Sequence, residues 1–292
     1  AGRLAAGDSG WSCTRGACTA AMGGGNAMTQ RARFTVAYDG TELSGFAEQP
    51  GERTVLGELR RAVELVVRGP AHLIGAGRTD AGVHGWGQVV SCDLPEGFDL
   101  EKLQRRVNSM CRPHISVRDF QWTHDPEFHA RYSATSRLYR YHVLNSRALN
   151  PFAVRTAWHV MQPLQLWAMN LACDPLIGEH DFSTFCRRPK LELGDHERSL
   201  RRKVFKAQWS EVCDDVPGLL RFEISANAFC HQMVRSIVGT LVEVGMGKIH
   251  AGEMCGILRQ QDRRFAGRVA PAHGLVLWEV GYPLEPPRQP AR

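Results

Sequence analysis

The stretch Gly75–Gly85, GAGRTDAGVHG, sets one Arg, one Asp and one His in a glycine-rich segment. Three chemistries use such a combination: a backbone cradle for phosphate, a metal site, or a nest for one reactive carboxylate. The phosphate reading fits poorly. Gly75 and Gly77 match the first two glycines of G-x-G-x-x-G, but Asp80 stands where the third would let pyrophosphate approach, and G-K-[ST] is absent. The metal reading is also weak. Asp80 and His84 are four apart among glycines that oppose the helix needed to align them, and no Cys or second His joins them. His84 reads better as a hydrogen-bonded structural residue. The third reading uses every polar piece. Glycines permit a tight turn and close approach of a bulky ligand. Arg78 and Asp80 share a face if the segment is extended, and an Arg beside an Asp keeps the carboxylate ionised. An ionised carboxylate in an uncrowded turn is available as a nucleophile. A purely structural Arg–Asp pair at a turn accounts for the same residues.

The flanking elements must hold this segment. Phe34, Val36 and Tyr38 alternate with polar or small residues, the pattern of a half-buried strand. Leu56, Leu59, Val63 and Val66 recur at helical spacing behind Thr54, a candidate N-cap. A strand through Gln88–Cys92 follows. Asp99 then caps a helix with Leu100, Leu103, Val107 and Met110 on one face, and a strand near Val117–Trp122 closes the half. The second half echoes this order: a strand through Tyr139, Tyr141 and Val143, a helix around Leu164–Cys173, and strands near Val204–Glu211 and Leu220–Ala226. A long helix through Met233, Ile237, Leu241 and Val244 is expected to end before Gly245, a good residue for the position after a helix. A last strand spans Leu275–Tyr282. Strands and helices mix without regular alternation, which predicts an α+β fold with a largely antiparallel sheet in two similar halves. The expected boundaries are a disordered tail over 1–30, halves over 31–130 and 131–283, and a loose tail over 284–292.

Composition bounds the class. The chain has 292 residues, 43% hydrophobic and 23% charged, enough for a sizeable core without staples. Nine cysteines without a C-x-x-C read as reduced thiols of a cytoplasmic protein. No apolar run approaches a membrane span, and the Gly- and Ala-rich start lacks the apolar core of a secretory signal. The net charge is +6, and its placement is uneven. Arg187–Lys206 holds eight Lys/Arg against three Asp/Glu, with Arg201 and Arg202 in its densest part. Arg131–Arg147 holds four Arg, no acid, and Tyr132, Tyr139 and Tyr141. Cations interleaved with aromatics suit a polyanion with exposed bases. Solvated basic faces over core tyrosines account for them equally well.

Six segments in order resemble the tRNA pseudouridine synthase A family: Ala37–Gly45 (AYDGTELSG), Gly77–His84 (GRTDAGVH), Phe128–Ala134 with Arg137–Tyr141 (FHARYSA and RLYRY), Gly178–Phe182 (GEHDF), Asn227–Gly239 (NAFCHQMVRSIVG) and Ala270–Leu275 (APAHGL). The resemblance runs from about Arg33 to Tyr282, and six motifs in register are a far stronger signal than one. The chain departs from the family pattern at Leu43, at Phe46-Ala47, at Leu56 and at Cys230.

The resemblance implies a pseudouridine synthase fold, a basic cleft and a homodimer. It implies conversion of uridine to pseudouridine at positions 38, 39 and 40 of the tRNA anticodon stem-loop, with neither cofactor nor metal. Asp80 would be the catalytic aspartate, Arg78 would assist entry of a flipped uridine, and Tyr139 would stack on the base. Arg235, early in the long helix, is expected to cross the cleft and pair with Asp80 in bidentate fashion. Arg131, Arg201 and Arg202 are the candidate RNA contacts. His129 joins them as scaffold or contact, and His180 and Asp181 are expected to fix a loop. Leu275 fits either a core position or the floor of the pocket. Two other classes use the same residues: a non-catalytic tRNA-binding module, and a synthase acting at other RNA positions.

Overall fold

A computed structural model describes residues 28–188, 199–212 and 216–283. The expected tails, except for residues 28–30, and the middle of the basic run lie outside the described residues. The strands are β1 (Thr29–Tyr38), β2 (Leu73–Gly75), β3 (His84–Pro95), β4 (Ile115–Trp122), β5 (Ser136–Asn145), β6 (Trp158–Val160), β7 (Gly178–Asp181), β8 (Arg201–Glu211), β9 (Leu219–Ala226) and β10 (Leu275–Gly281). The helices are α1 (Val55–Val67), α2 (Leu100–Met110), α3 (Leu166–Leu171), α4 (Met233–Gly245) and α5 (Met254–Arg259). The fold is mixed α+β.

One ten-stranded sheet runs β4-β1-β3-β10-β5-β9-β8-β7, with β2 on β3 and β6 on β5. Pairing is antiparallel except for β6 on β5 and β10 on β3. The last strand therefore inserts between the halves. It lies parallel to β3 through Val276–His84 and antiparallel to β5 through Leu277–Tyr139. Each half keeps its own core on the helical face. Leu59 and Val63 of α1 and Leu103 and Val107 of α2 share a buried cluster with Phe34, Val36 and Val90. Met233, Ile237, Leu241 and Val244 of α4 share another with Tyr141, Phe222 and Ile224. Each such side chain contributes about 1.5–3 kcal/mol by leaving water.

The caps form as their residue types require. Thr54 accepts from the Gly57 amide at 3.3 Å, and Asp99 from the Lys102 amide at 2.9 Å. Two expectations are corrected. Met110 is 45% exposed, because Cys111, four residues after Val107, takes the buried position on that face instead. Gly245 is the last residue of α4 and not the residue after it, and Gly247 takes the left-handed backbone with φ +74°. Gly245 serves close packing instead: a Cβ there would lie 2.6 Å from the Met169 sulfur.

Candidate active site

The glycine-rich segment crosses from β2 to β3 and is pinned along its length. The Ala76 amide donates to Val89 O at 2.8 Å, and Gln88 Nε2 donates to Gly77 O at 2.8 Å. The Thr79 hydroxyl meets the Tyr38 hydroxyl at 2.9 Å, while Thr79 O accepts from the Phe46 amide at 3.1 Å. Asp80 then opens a turn closed by Val83 N to Asp80 O at 3.1 Å. Gly82, at its third position, has φ +77°, the conformation that favours a residue without a Cβ. His84 is buried and structural. Its Nδ1 accepts from the Gly40 amide at 3.1 Å, and its Nε2 faces only carbonyls, Arg155 O at 2.9 Å and His273 O at 3.0 Å, so Nε2 carries the proton.

The Asp80 carboxylate points at the start of α4. Arg235 Nη1 donates to Asp80 Oδ2 at 2.9 Å, and His231 Nε2 lies 3.4 Å from Oδ1. Arg235 is itself clamped, with Nε donating to Ala270 O at 2.8 Å and its carbonyl accepting from the Ala270 amide at 3.0 Å. One nitrogen reaches the carboxylate, so the contact is single and not bidentate. The local pairing with Arg78 does not form: Arg78 is exposed and makes no ion pair or hydrogen bond among the described residues. Rigid turn geometry and a clamped cation on another element outcompete a neighbour two residues away. The Asp80 side chain is 27% exposed, open enough for a ligand to reach.

Tyr139 forms the adjoining wall. It is buried, and its ring stands edge-on to Phe229 with centroids 5.0 Å apart. Burial raises the Tyr139 phenol above its usual range, Arg137 opposes this, and the nearby Asp80 charge adds to it. The ring therefore stays neutral. Leu275 is buried at the start of β10, opposite Tyr141. The chain enters α4 through Gln232 at φ +62°, without a side-chain cap. That strained entry turns both His231 and Arg235 toward the carboxylate.

A sequence profile of the tRNA pseudouridine synthase family matches residues 172–283. The tRNA pseudouridine synthase A of Geobacillus sp. (strain WCH70) is 39% identical over 256 residues, covering 87% of this chain and 99% of that one. The enzyme of the same name from Geobacillus kaustophilus is 40% identical over 257 residues, 87% of this chain and 95% of its own. That from Bacillus subtilis (strain 168) is 37% identical over 254 residues, 86% and 99%. The chain belongs to the tRNA pseudouridine synthase A family. The matches to relatives extend over both halves, so the family covers the glycine-rich turn as well as α4.

Two positioning residues escape a reading by motif alone. Arg137 donates to Ala134 O at 3.2 Å, Asn227 O at 2.7 Å, Ala76 O at 3.1 Å and Arg131 O at 2.7 Å. One guanidinium thus joins the base of the glycine-rich segment, the RLYRY approach and the loop into α4. His231 falls inside a matched segment, but only the tertiary contact with Asp80 marks it. The remaining predicted residues fall outside this cluster. Arg131 is exposed, its guanidinium 5.6 Å from the centre of the Tyr132 ring, which itself lies tilted against His129 with centroids 4.4 Å apart. Arg201 is exposed and pairs with Glu179 at 3.2 Å. Arg202 is half-buried, donates to Ser199 O and Arg201 O, and acts electrostatically on Cys186 and Cys230. His180 bonds Ile177 O at 2.9 Å and Asp181 accepts from the Ser183 amide at 2.9 Å, so both hold their own loop. A surface hollow of about 640 Å³ between α3 and β8 contains none of the matched motif residues.

Proposed function

We propose that the protein isomerises uridine to pseudouridine in the anticodon stem-loop of tRNA, at positions 38, 39 and 40, with Asp80 as the catalytic group acting on a flipped-out nucleotide. The observation that carries this reading is the accessible Asp80 carboxylate held by Arg235 beside the buried Tyr139 ring. A base within a stem cannot be reached in place, so it must leave the stack at a cost of a few kcal/mol. In the pocket the C1′–N1 bond breaks, the uracil turns, a C1′–C5 bond forms, the C5 proton is released and N1 takes up a proton. Asp80 serves at the sugar, by attack on C1′ or by promoting a glycal. Either role needs a carboxylate whose direction is fixed, and the Arg235 contact fixes it. Tyr139 holds the detached ring against the sugar, which keeps recombination intramolecular. Arg78, free of protein partners among the described residues, is suited to a phosphate or to the space the base leaves. Arg131 and Arg201 are surface contacts for the backbone, and a second copy of the chain completes the RNA platform as a homodimer.

The Asp80→Asn variant keeps the shape and loses the nucleophile or base. Tritium release from tRNA labelled at uridine C5 should fall at least about a thousandfold, the usual scale for loss of a catalytic group, with tRNA binding retained. Turnover near wild type would remove Asp80 from the chemistry, and tritium release with no pseudouridine at 38–40 would move the target elsewhere.

A further inference from the structure

We propose that Cys230 and Cys186 form a thiol pair that peroxide oxidises to a disulfide, and that this closure disables the neighbouring site. Cys186 follows the short turn Ser183–Phe185, and Cys230 sits in the loop that enters α4. The Arg187 amide donates to His231 O at 3.0 Å, which joins the two chain segments next to both cysteines. Cys186 is buried, and Cys230 is partly exposed and packs on the same core. Both are free thiols, each one residue before a partner in the hydrogen bond that joins the two segments.

The surroundings divide the roles. The interaction of the two thiols with each other holds Cys230 below its usual range and raises Cys186. The Arg202 guanidinium favours the thiolate on both, and Asp181 opposes it. The buried thiols Cys92, Cys173 and Cys111 are inert by contrast: burial pushes Cys92 and Cys173 up to about 12 and Cys111 up to about 11. Thiolate character with access selects the cysteine that oxidises first, here Cys230. Its sulfur attacks hydrogen peroxide, the O–O bond breaks, and the products are Cys230 sulfenic acid and water. The Cys186 sulfur then displaces the sulfenic oxygen as a second water, giving the S–S bond. Two thiols each lose one electron and one proton, and peroxide takes both pairs.

The bond would form one residue from His231 and within the loop that carries Phe229 against Tyr139 and Gln232 at φ +62°. Drawing the two sulfurs to a covalent length of about 2.05 Å, with a restricted torsion, moves this loop. The thiol chemistry stands independently, whereas its effect on turnover rests on the role proposed for Asp80.

The test treats the full-length chain with hydrogen peroxide, maps cysteines by mass spectrometry without reductant, and follows pseudouridine formation in the same samples. The expected result is a Cys186–Cys230 linked peptide and a several-fold loss of turnover, both reversed by dithiothreitol. In Cys186→Ala the linked peptide disappears and dimedone traps Cys230 as its sulfenic adduct. In Cys230→Ala neither product forms, and turnover withstands peroxide. Absence of the linked peptide from oxidised wild type overturns the thiol pair. A linked peptide with unchanged turnover overturns the coupling to the site. An untreated protein that makes no pseudouridine counts against the proposed function alone, and the peptide map still decides the thiol chemistry.

Discussion

Asp80 has two neighbours of different kinds, a guanidinium clamped by a backbone carbonyl and an imidazole at the mouth of the site. The clamp makes Arg235 a geometric part as much as a charge. Arg235→Lys keeps the cation but has one nitrogen in place of a fork, so it cannot donate both to Ala270 O and to Asp80 in the present arrangement. The single-turnover rate should fall by at least tenfold, while the unfolding midpoint shifts little. A lysine variant with wild-type single-turnover rate would mean that Asp80 needs only nearby charge.

Elements matter here through the loops that one side chain ties together. Arg137 leaves β5 and donates to carbonyls of four separate positions, two of them in the segments that present Asp80 and α4. Its hydrogen-bond partners are neutral oxygens, and burial lowers its own affinity for the proton. Arg137→Met fills similar space and orphans those carbonyls. The expected loss is about 3 kcal/mol of folding stability, the scale of charged hydrogen bonds removed from a partly buried site. Turnover measured well below the unfolding transition should fall too, because the glycine-rich turn and the α4 loop lose their common anchor. A denaturation midpoint equal to that of wild type would remove Arg137 from the scaffold.

The whole molecule is a sheet with chemistry at its seam and charge at its rim. His142 lies on β5 on the face opposite Tyr139 and Tyr141, paired in register with Arg221. Burial lowers His142 from 6.5 to about 4, and the Arg221 and Arg140 charges add to it. The unfolded chain therefore takes up this proton first on acidification. Stability is complete above about pH 6.5, declines as pH falls toward 4, and levels below that. Between pH 7 and pH 5 the loss from this residue is on the order of 2 kcal/mol. His142→Gln should show a flatter stability profile over that window, and an identical profile would mean His142 is solvated. At the rim, Arg131 and Arg201 are exposed, whereas Arg202 is half-buried and turned toward backbone carbonyls. Replacing Arg131 and Arg201 together with Ala should weaken tRNA binding and flatten its salt dependence by about one unit of slope for each phosphate no longer neutralised. The single-turnover rate at saturating tRNA should hold. An unchanged slope would return both residues to a solvated surface.

The sequence by itself determined most of what depends on near neighbours. Alternation in Phe34–Tyr38 and Tyr139–Val143 and the Thr54 and Asp99 caps follow from residue type and spacing. These are short-range matters of sterics and hydrogen bonding, and they are fixed within a few residues. The Met110 and Gly245 expectations failed because periodicity does not say where a helix leaves its sheet or what packs against its end. The partner of Asp80 could not be read from spacing. Arg78 is two residues away and turns to solvent, while Arg235 is 155 positions away and makes the contact. Motif resemblance suggested that pair, but the clamp on Ala270, the His231 contact and the fourfold anchor at Arg137 came only with the fold. So did the meeting of Cys186 and Cys230. Such contacts exist because β10 inserts between β3 and β5 and brings the two halves onto one sheet, and that long-range pairing leaves no local pattern in the chain.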